Sequence, residues 1–581
     1  MNSSEIRQRF LDFFEQRGHK IVPSSSLLPT DPSVLFTTAG MQQFKEYFLG
    51  KESPYGKRVA SCQKCFRTSD IETVGDISHL TFVEMLGNFS FGDYFKKETI
   101  NWAYEFITKE LGLKIDYVSV FAGDPSTSSG QVVPEDKESE KIWLNLGIPV
   151  SKIKKIGRED NFWGPTGLEG PCGPTTEIYL NNIEVWNLVF NEYYQDRDGK
   201  LTPLKQKGVD TGMGLERLAM VVQGKSSVFE TDLFFPIIKE IRNWKLEISP
   251  SGSPFCVQGN WKLRERSERI LADHITSAVF LISEGIFPSN VERGYILRRI
   301  LRRAIRYGKL LNLPKNFLIP LAQKVIEIYK DVYTETKIKE NDILVAIQNE
   351  EEKFEETLSN GLKKLDKMIN SNQEITGATA FDIYQTYGFP LEMTQEIMLE
   401  KGKELKNAEE FSIFSKKHQE ISRVGVEKKF GGIGKDAGLI QTRLHTVTHL
   451  LHQALREVLG SHVKQMGSDI TAQRLRFDFS HSQKMTPEEI KKVEDLVNQK
   501  IKENLEVRKE EMNYQEAIES GALAFFKEKY PDKVSVYSVG GFSKEICAGP
   551  HINKTSELGK FKIVKEESSG AGTRRIRAVL E

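Results

Sequence analysis

The sequence predicts a multidomain α+β protein, and three observations carry that reading. At 581 residues the chain is too long for one hydrophobic core, which stops growing at about 250–300 residues. Up to about residue 235, strand-like runs alternate with Gly/Pro turns, the pattern of a mixed domain around an antiparallel sheet. From there to about residue 424 apolar residues recur at steps of three and four, which marks helices with one buried stripe.

Each part can be justified in order. Residues 5–16 place Ile6, Phe10, Phe13 and Phe14 on one helical face before Gly18 stops the helix. In residues 79–85, period-2 alternation puts Thr81, Val83 and Met85 on one face of a strand and Phe82 and Glu84 on the other. Arg67 precedes that strand by one loop, so Arg67 and Glu84 are expected to face a common ligand across an antiparallel pair. In the helical part, Phe354, Leu358, Leu362, Leu365 and Ile369 form one stripe. Residues 425–440, opening with GVEKKFGGIGKDAG, read as a linker. Residues 441–581 then combine the helical RLHTVTHLLHQAL with the strand-like RLRFDFSH and KVSVYSV.

Composition narrows the function classes. Hydrophobic content of 39% and charged content of 28% are ordinary for globular protein, and no apolar run approaches the ~20 residues that span a bilayer. The amino-terminal MNSSEIRQRF lacks the apolar core of a secretory signal, so a cytoplasmic chain without a membrane partner is expected. Cys62, Cys65, Cys172, Cys256 and Cys547 are too few and too odd in number for a disulfide framework and fit reduced thiols or metal ligands. Net charge is zero, yet Arg293, Arg298, Arg299, Arg302, Arg303, Arg306 and Lys309 crowd one segment, the electrostatic mark of a phosphate-binding surface. Neither GxxxxGK[ST] nor GxGxxG occurs, which counts against P-loop and dinucleotide-binding readings.

Residues 208–220, GVDTGMGLERLAM, read as a glycine-rich turn entering a helix. Gly208, Gly212 and Gly214 permit backbone conformations and close ligand approach that a Cβ forbids, and Arg217 adds a planar charged fork. Taken alone, such a segment is more often a plain connection than an active site. Together, FTTAGM, CQKCFRT, FVEMLGNFSFGDYF, GPCGP, EVWNLVF and VDTGMGLERL resemble the alanyl-tRNA synthetase family of class II aminoacyl-tRNA synthetases, over nearly all of the chain. PSVLFTTAGM (32–41) sits where motif 1 belongs, Arg67 with the Phe82/Glu84 strand resembles motif 2, and GVDTGMGLERL resembles motif 3.

The resemblance implies a class II antiparallel-sheet catalytic domain over 1–235, a helical tRNA acceptor-stem recognition domain over 236–424 and a zinc-containing editing domain over 441–581. It implies an alanine–tRNA ligase that forms alanyl-adenylate from L-alanine and ATP and passes alanine to the 3′ end of tRNA(Ala). The catalytic set is then Arg67, Asp210 and Arg217: Arg67 at the α-phosphate and carboxylate, Arg217 at the adenine and γ-phosphate, and Asp210 on the substrate ammonium. Asp70, Glu72, Phe82, Glu84, Gly212 and Gly214 complete an ATP site served by Mg²⁺. Met85 and Trp163 are walls of the amino-acid pocket, and Asn187 adds a hydrogen bond. One missing methyl is worth only about 1–3 kcal/mol, so glycine intrudes wherever alanine fits and a second, hydrolytic site is expected.

HTVTH places His445 and His449 one helical turn apart, and CAGPH supplies Cys547 and His551, a plausible His/Cys set for Zn²⁺. Thr446 stands where an HExxH peptidase needs its glutamate. By resemblance these are the zinc motifs of an editing domain acting on Ser-tRNA(Ala) and Gly-tRNA(Ala), with Gln465 an editing residue. The family usually has CGGTH, so Pro550 is expected to forfeit a backbone hydrogen bond.

In residues 288–309, Ile296, Leu297, Ile300, Leu301 and Ile305 form an apolar stripe, and Arg298, Arg302 and Arg306 stack opposite as a cationic face for phosphates. The resemblance assigns Asn290 to a G·U wobble pair, with Arg293 nearby. The aspartate expected as its partner is replaced by Gln385, which both donates and accepts. Longer family members carry a β-barrel and a C-terminal oligomerisation domain, so a compact monomer is expected. The alternative is an RNA-binding or trans-editing protein whose synthetase half is not catalytic.

Overall fold

The structure is a computed structural model. It describes residues 1–124, 131–244, 261–371, 374–416, 438–471, 473–481, 483–524, 533–547, 549–570 and 573–581. These divide into two compact units, Met1–Lys363 with Tyr387–Met393, and Lys364–Thr386 with Thr394–Glu581. Cys256 and residues 425–437 of the expected linker lie outside the described residues.

The first unit opens with α1 (Ser3–Glu15). Asn2 caps it reciprocally: its side chain accepts from the Glu5 amide, and the Glu5 carboxylate accepts from the Asn2 amide. Ile6, Phe10, Phe13 and Phe14 are all buried, as the periodicity requires, and Phe10 meets Trp186 and Phe106 edge-on.

That core lies on one face of a sheet of nine strands among the described residues. They are β1 (Lys20–Ile21), β2 (Arg58–Phe66), β3 (Phe82–Phe91), β4 (Tyr117–Phe121), β5 (Ile153–Ile156), β6 (Phe162–Trp163), β7 (Gly170–Leu180), β8 (Ile183–Gln195) and β9 (Leu201–Gly214). The order is β1-β2-β3-β9-β8-β7-β4-β5, with β6 paired to β7. All pairings are antiparallel except β1–β2 and β4–β5.

Register decides which side chains meet. Met85 stands opposite Gly214, Gly212 opposite Asn187, and Asn187 opposite Glu177. Directly opposed residues share a face, so these form a row across four strands. Their sequence neighbours Leu86, Met213, Trp186 and Ile178 point the other way into the apolar core.

Two expectations about residues 208–214 are corrected. They are the end of β9 rather than a turn, and α2 (Leu215–Val222) starts directly after it. None of Gly208, Gly212 and Gly214 has a positive φ. Close packing is what marks position 212, where a Cβ would lie 2.9 Å from the Met85 sulfur and Met85 would have to move.

In the same unit α3 (Trp261–Ser283) packs against β3, and α4 (Glu292–Leu310) and α5 (Leu318–Tyr329) pack against α3. Phe280 of α3 stacks on Phe82 at 3.9 Å between ring centroids. In α6 (Glu340–Asn370), Phe354, Leu358, Leu365 and Ile369 are buried.

The second unit contains α7 (Leu439–Leu459) and α8 (Pro487–Lys502). Its four-stranded sheet has the order β10-β11-β16-β15, from β10 (Gln465–Ile470), β11 (Leu475–Ser480), β15 (Phe561–Gly570) and β16 (Thr573–Leu580). A second sheet joins β12 (Val507–Asn513), β13 (Lys533–Val539) and β14 (Ser543–Ile546). Leu450, Leu451, Phe477, Val493 and Ile576 lie in one core that draws on both helices and the larger sheet. Among the described residues no helix is long and apolar enough to cross a membrane.

Candidate active site and metal centre

A cavity of about 330 Å³ opens on the polar face of the large sheet. Its lining includes Arg67, Asp70, Met85, Trp163, Asn187, Asp210, Gly212, Gly214 and Arg217, nine residues that the sequence singled out. Arg67 directly follows β2, and its amide donates to the Thr81 carbonyl, so it stands opposite Thr81 on the face of Val83 and Met85. The Thr38 carbonyl accepts from Arg67 Nε at 3.2 Å. Arg217, in the first turn of α2, donates to the carbonyl and the carboxylate of Glu184, both at 3.1 Å. Both guanidiniums are therefore aimed before any ligand binds.

Asp210 is 4% exposed and has no ion-pair or hydrogen-bond partner among the described residues. Burial alone pushes its carboxyl up to about 7. Asn187 Nδ2 donates to Glu177 at 2.9 Å, whereas its Oδ1 is buried and unpartnered among the described residues. One carboxylate and one amide oxygen thus line the cavity with acceptor capacity that the protein itself leaves unused. Met85 and Trp163 both pack against a small core containing Met41, Phe44 and Phe89 while lining the cavity, so they are wall and core together.

Three expected ATP-site residues are placed elsewhere. Phe82 is buried under α3. Glu84 is fully buried and takes a two-pronged ion pair from Arg7 at 2.9 and 2.7 Å and a hydrogen bond from Tyr333 at 2.8 Å. The alternation holds, but the shared ligand does not follow from it: Arg67 lies on the face of Thr81, opposite to that of Glu84. Glu72 is exposed and pairs with Arg299.

Sequence reasoning missed Glu177 and Glu184, which also line the cavity. Burial and the nearby Glu184 push Glu177 up to about 7, against hydrogen bonds from Tyr179 and Ser119. A lone acid inside the strand-like TTEIYL was the available signal. Glu216 was missed as well; burial and the neighbouring Glu84 carboxylate raise its carboxyl.

In the second unit, the ligand atoms of His445, His449, Cys547 and His551 lie within 4.8 Å of one another. Cys547 Sγ is 3.5 Å from Nε2 of both His445 and His551. Donors at 2.0–2.3 Å from a tetrahedral ion would be about 3.3–3.8 Å apart, so the set fits Zn²⁺. Burial raises the Cys547 thiol, but hydrogen bonds from the three imidazoles outweigh it and bring it down to about 2, the state a metal ligand needs. Pro550 contributes what it still has: its carbonyl accepts from His445 Nδ1 at 3.1 Å. Gln465 opens β10 and donates to Ser468 at 3.2 Å.

The arginine-rich helix α4 requires a correction. Its apolar stripe is buried as expected, but Arg298, Arg302 and Arg306 do not form an open cationic face. Buried Glu350 of α6 takes Arg302 at 2.7 Å and Arg298 at 3.2 Å, and the Gly388 carbonyl takes Arg302 as well. Arg306 is 4% exposed. A helical row of like charge reads as solvated until a buried acid on another helix neutralises it. Arg298 also donates to the side chain of exposed Asn290, and Arg293 donates to the Leu35 carbonyl at 2.6 Å. Gln385 is exposed and belongs to the second unit.

The tRNA synthetases class II (A) family matches residues 5–473, and the threonyl and alanyl tRNA synthetase second additional domain matches residues 534–577. An alanine–tRNA ligase of Borreliella afzelii is 47% identical over all of both chains. One of Treponema pallidum is 45% identical over all of this chain and 98% of that one, and one of Thermotoga maritima 40% over all of this chain and 80% of that one. The chain belongs to the class II (A) tRNA synthetases and, within them, to the alanine–tRNA ligase family.

Proposed function

We propose that the chain is an alanine–tRNA ligase that activates L-alanine with ATP, transfers it to the 3′ end of tRNA(Ala), and hydrolyses Ser-tRNA(Ala) and Gly-tRNA(Ala). The reading divides the chain into catalytic (1–235), helical tRNA-recognition (236–424) and editing (441–581) parts. The observation that carries it is the Asp210 carboxylate, buried without a partner beside the unused Asn187 Oδ1, in a cavity that also holds two oriented arginines. A buried, unpaired carboxylate is costly unless a cation arrives to meet it.

In this reading the alanine ammonium sits between Asp210 and Asn187, with its methyl group against Met85 and Trp163. Arg67 binds the carboxylate and the α-phosphate, and Arg217 the far end of ATP. Both hold charge that grows as pyrophosphate leaves, so catalysis is positioning plus electrostatic stabilisation, without a protein nucleophile. Mg²⁺ bound with ATP would offset phosphate charge, and Glu177 and Glu184 would supply its protein oxygens. His445, His449, Cys547 and His551 would hold Zn²⁺, which supplies Lewis-acid chemistry for ester hydrolysis.

Asn290, which is exposed and accepts from Arg298, is the residue proposed to read the G·U pair, and exposed Gln385 is proposed as a second tRNA-binding residue. Alanine-dependent ATP–pyrophosphate exchange tests activation, and charging of transcripts carrying G·U or G·C at the wobble position tests recognition. Absence of exchange, or equal charging of the two transcripts, would refute the corresponding half of the proposal.

A further inference from the structure

The metal centre has a second layer. Histidines of α7 recur at 445, 449 and 452, so all three fall on one side of the helix. Facing them, Glu545 of β14 lies two residues before Cys547 and is 2% exposed. Its Oε1 accepts from His452 Nδ1 at 2.8 Å, and its Oε2 lies 3.4 Å from His449 Nδ1. Among the described residues these two imidazoles are its ion-pair partners, with no lysine or arginine in reach.

We propose that Glu545 is a positioning residue for the metal centre: its carboxylate faces the outer nitrogen of His449 and supplies the charge that makes the buried cluster neutral. This inference rests on reading the four-residue cluster as a zinc site.

Two arguments support it. The first is tautomeric. The outer nitrogen of His445 faces the Pro550 carbonyl at 3.1 Å, and that of His551 faces the Thr446 hydroxyl at 3.2 Å. A carbonyl only accepts, so His445 carries its proton on Nδ1 and leaves the Nε2 lone pair toward Cys547. Thr446 already donates to the Thr442 carbonyl, so its oxygen is an acceptor for His551. At His449 the outer nitrogen has no hydrogen bond among the described residues, and the Glu545 carboxylate, 3.4 Å away, is the acceptor-only group that faces it.

The second argument is electrostatic. A dication with one thiolate and three neutral imidazoles carries one net positive charge, and Glu545 cancels it. Buried charge is tolerated only when compensated. His452 is not among the four ligands; its hydrogen bond holds the carboxylate in place.

The test uses the full chain and Zn²⁺ itself. Dissociation constants are measured by competition with a coloured chelator for wild type, Glu545→Asp and Glu545→Gln, each verified as folded by circular dichroism. Zinc should bind about 10–100-fold more weakly to Glu545→Gln, with Glu545→Asp between it and wild type. The visible absorption of the Co²⁺-substituted protein should shift in the same order. Should Glu545→Gln not fold, the Asp variant decides the matter alone. A variant that binds zinc as tightly as wild type overturns the role of Glu545 and leaves the zinc site standing, whereas a wild type that binds no zinc overturns both.

Discussion

Arg67 and Arg217 line one cavity, although the first follows β2 and the second lies in the opening turn of α2. Each is held by a backbone carbonyl from a third segment, Thr38 for Arg67 and Glu184 for Arg217. Neither the two segments nor their two supports are neighbours in sequence. Only the order of strands brings them to one place. Replacing either arginine by alanine should slow alanine-dependent ATP–pyrophosphate exchange by about 10²–10³-fold. The thermal midpoint should hardly move, because both side chains are partly exposed. Exchange kinetics beside a melting curve check this.

Asp210 gives a pH signature. Its carboxyl is pushed up to about 7 by burial, so at pH 7 about half of the empty sites are protonated. A bound ammonium favours the charged form, so alanine binding should release about half a proton at pH 7 and tighten as pH rises from 6 to 8. Calorimetry in two buffers of different ionisation enthalpy measures that proton, and Asp210→Asn should abolish it. The sign for stability is opposite. A raised carboxyl pKa disfavours the folded state increasingly as pH climbs above the unfolded value of about 3.9, so Asp210→Asn should melt higher than wild type at pH 8.

Gly212→Ala tests the methyl-sized pocket. The new Cβ would lie 2.9 Å from the Met85 sulfur, a flexible group that can move. The fold should survive, while Met85 shifts into the space proposed for the alanine methyl. The expected result is a several-fold to hundred-fold loss in kcat/KM for alanine, on the order of 1–3 kcal/mol, with the ATP KM unchanged.

Glu84→Gln separates scaffold from ligand site. Removing the charge leaves Arg7 buried and uncompensated, which costs about 3–5 kcal/mol. Denaturant titration should show that loss, and the KM for ATP of the remaining folded enzyme should stay near wild type. A large rise in that KM with unchanged stability would restore Glu84 to the ATP site.

Chelation should divide the two activities. Zinc removal is expected to abolish hydrolysis of Ser-tRNA(Ala) and leave ATP–pyrophosphate exchange intact, because the two sets of residues belong to different units. Both assays on one metal-stripped sample decide it.

Local pattern made much of this legible. The apolar stripe of α1, the strand alternation around Val83 and Met85, and the HxxxH and CxxxH spacings each depend on residues within one or two turns or pleats. Where the structure departs from local pattern, the deciding partners are far apart in sequence. Nothing near Glu84 announces Arg7, and nothing near Arg302 announces Glu350.

By itself, the sequence determined the fold class, the family and nine of the residues that line the cavity, because periodicity and motif wording are short-range properties. Tertiary structure alone decided which face each charge occupies, that Glu177 and Glu184 join the cavity, and that Glu545 backs His449. The reason is physical: a charged group takes its role from whatever neutralises it, and in a folded chain that partner is set by strand register and helix packing.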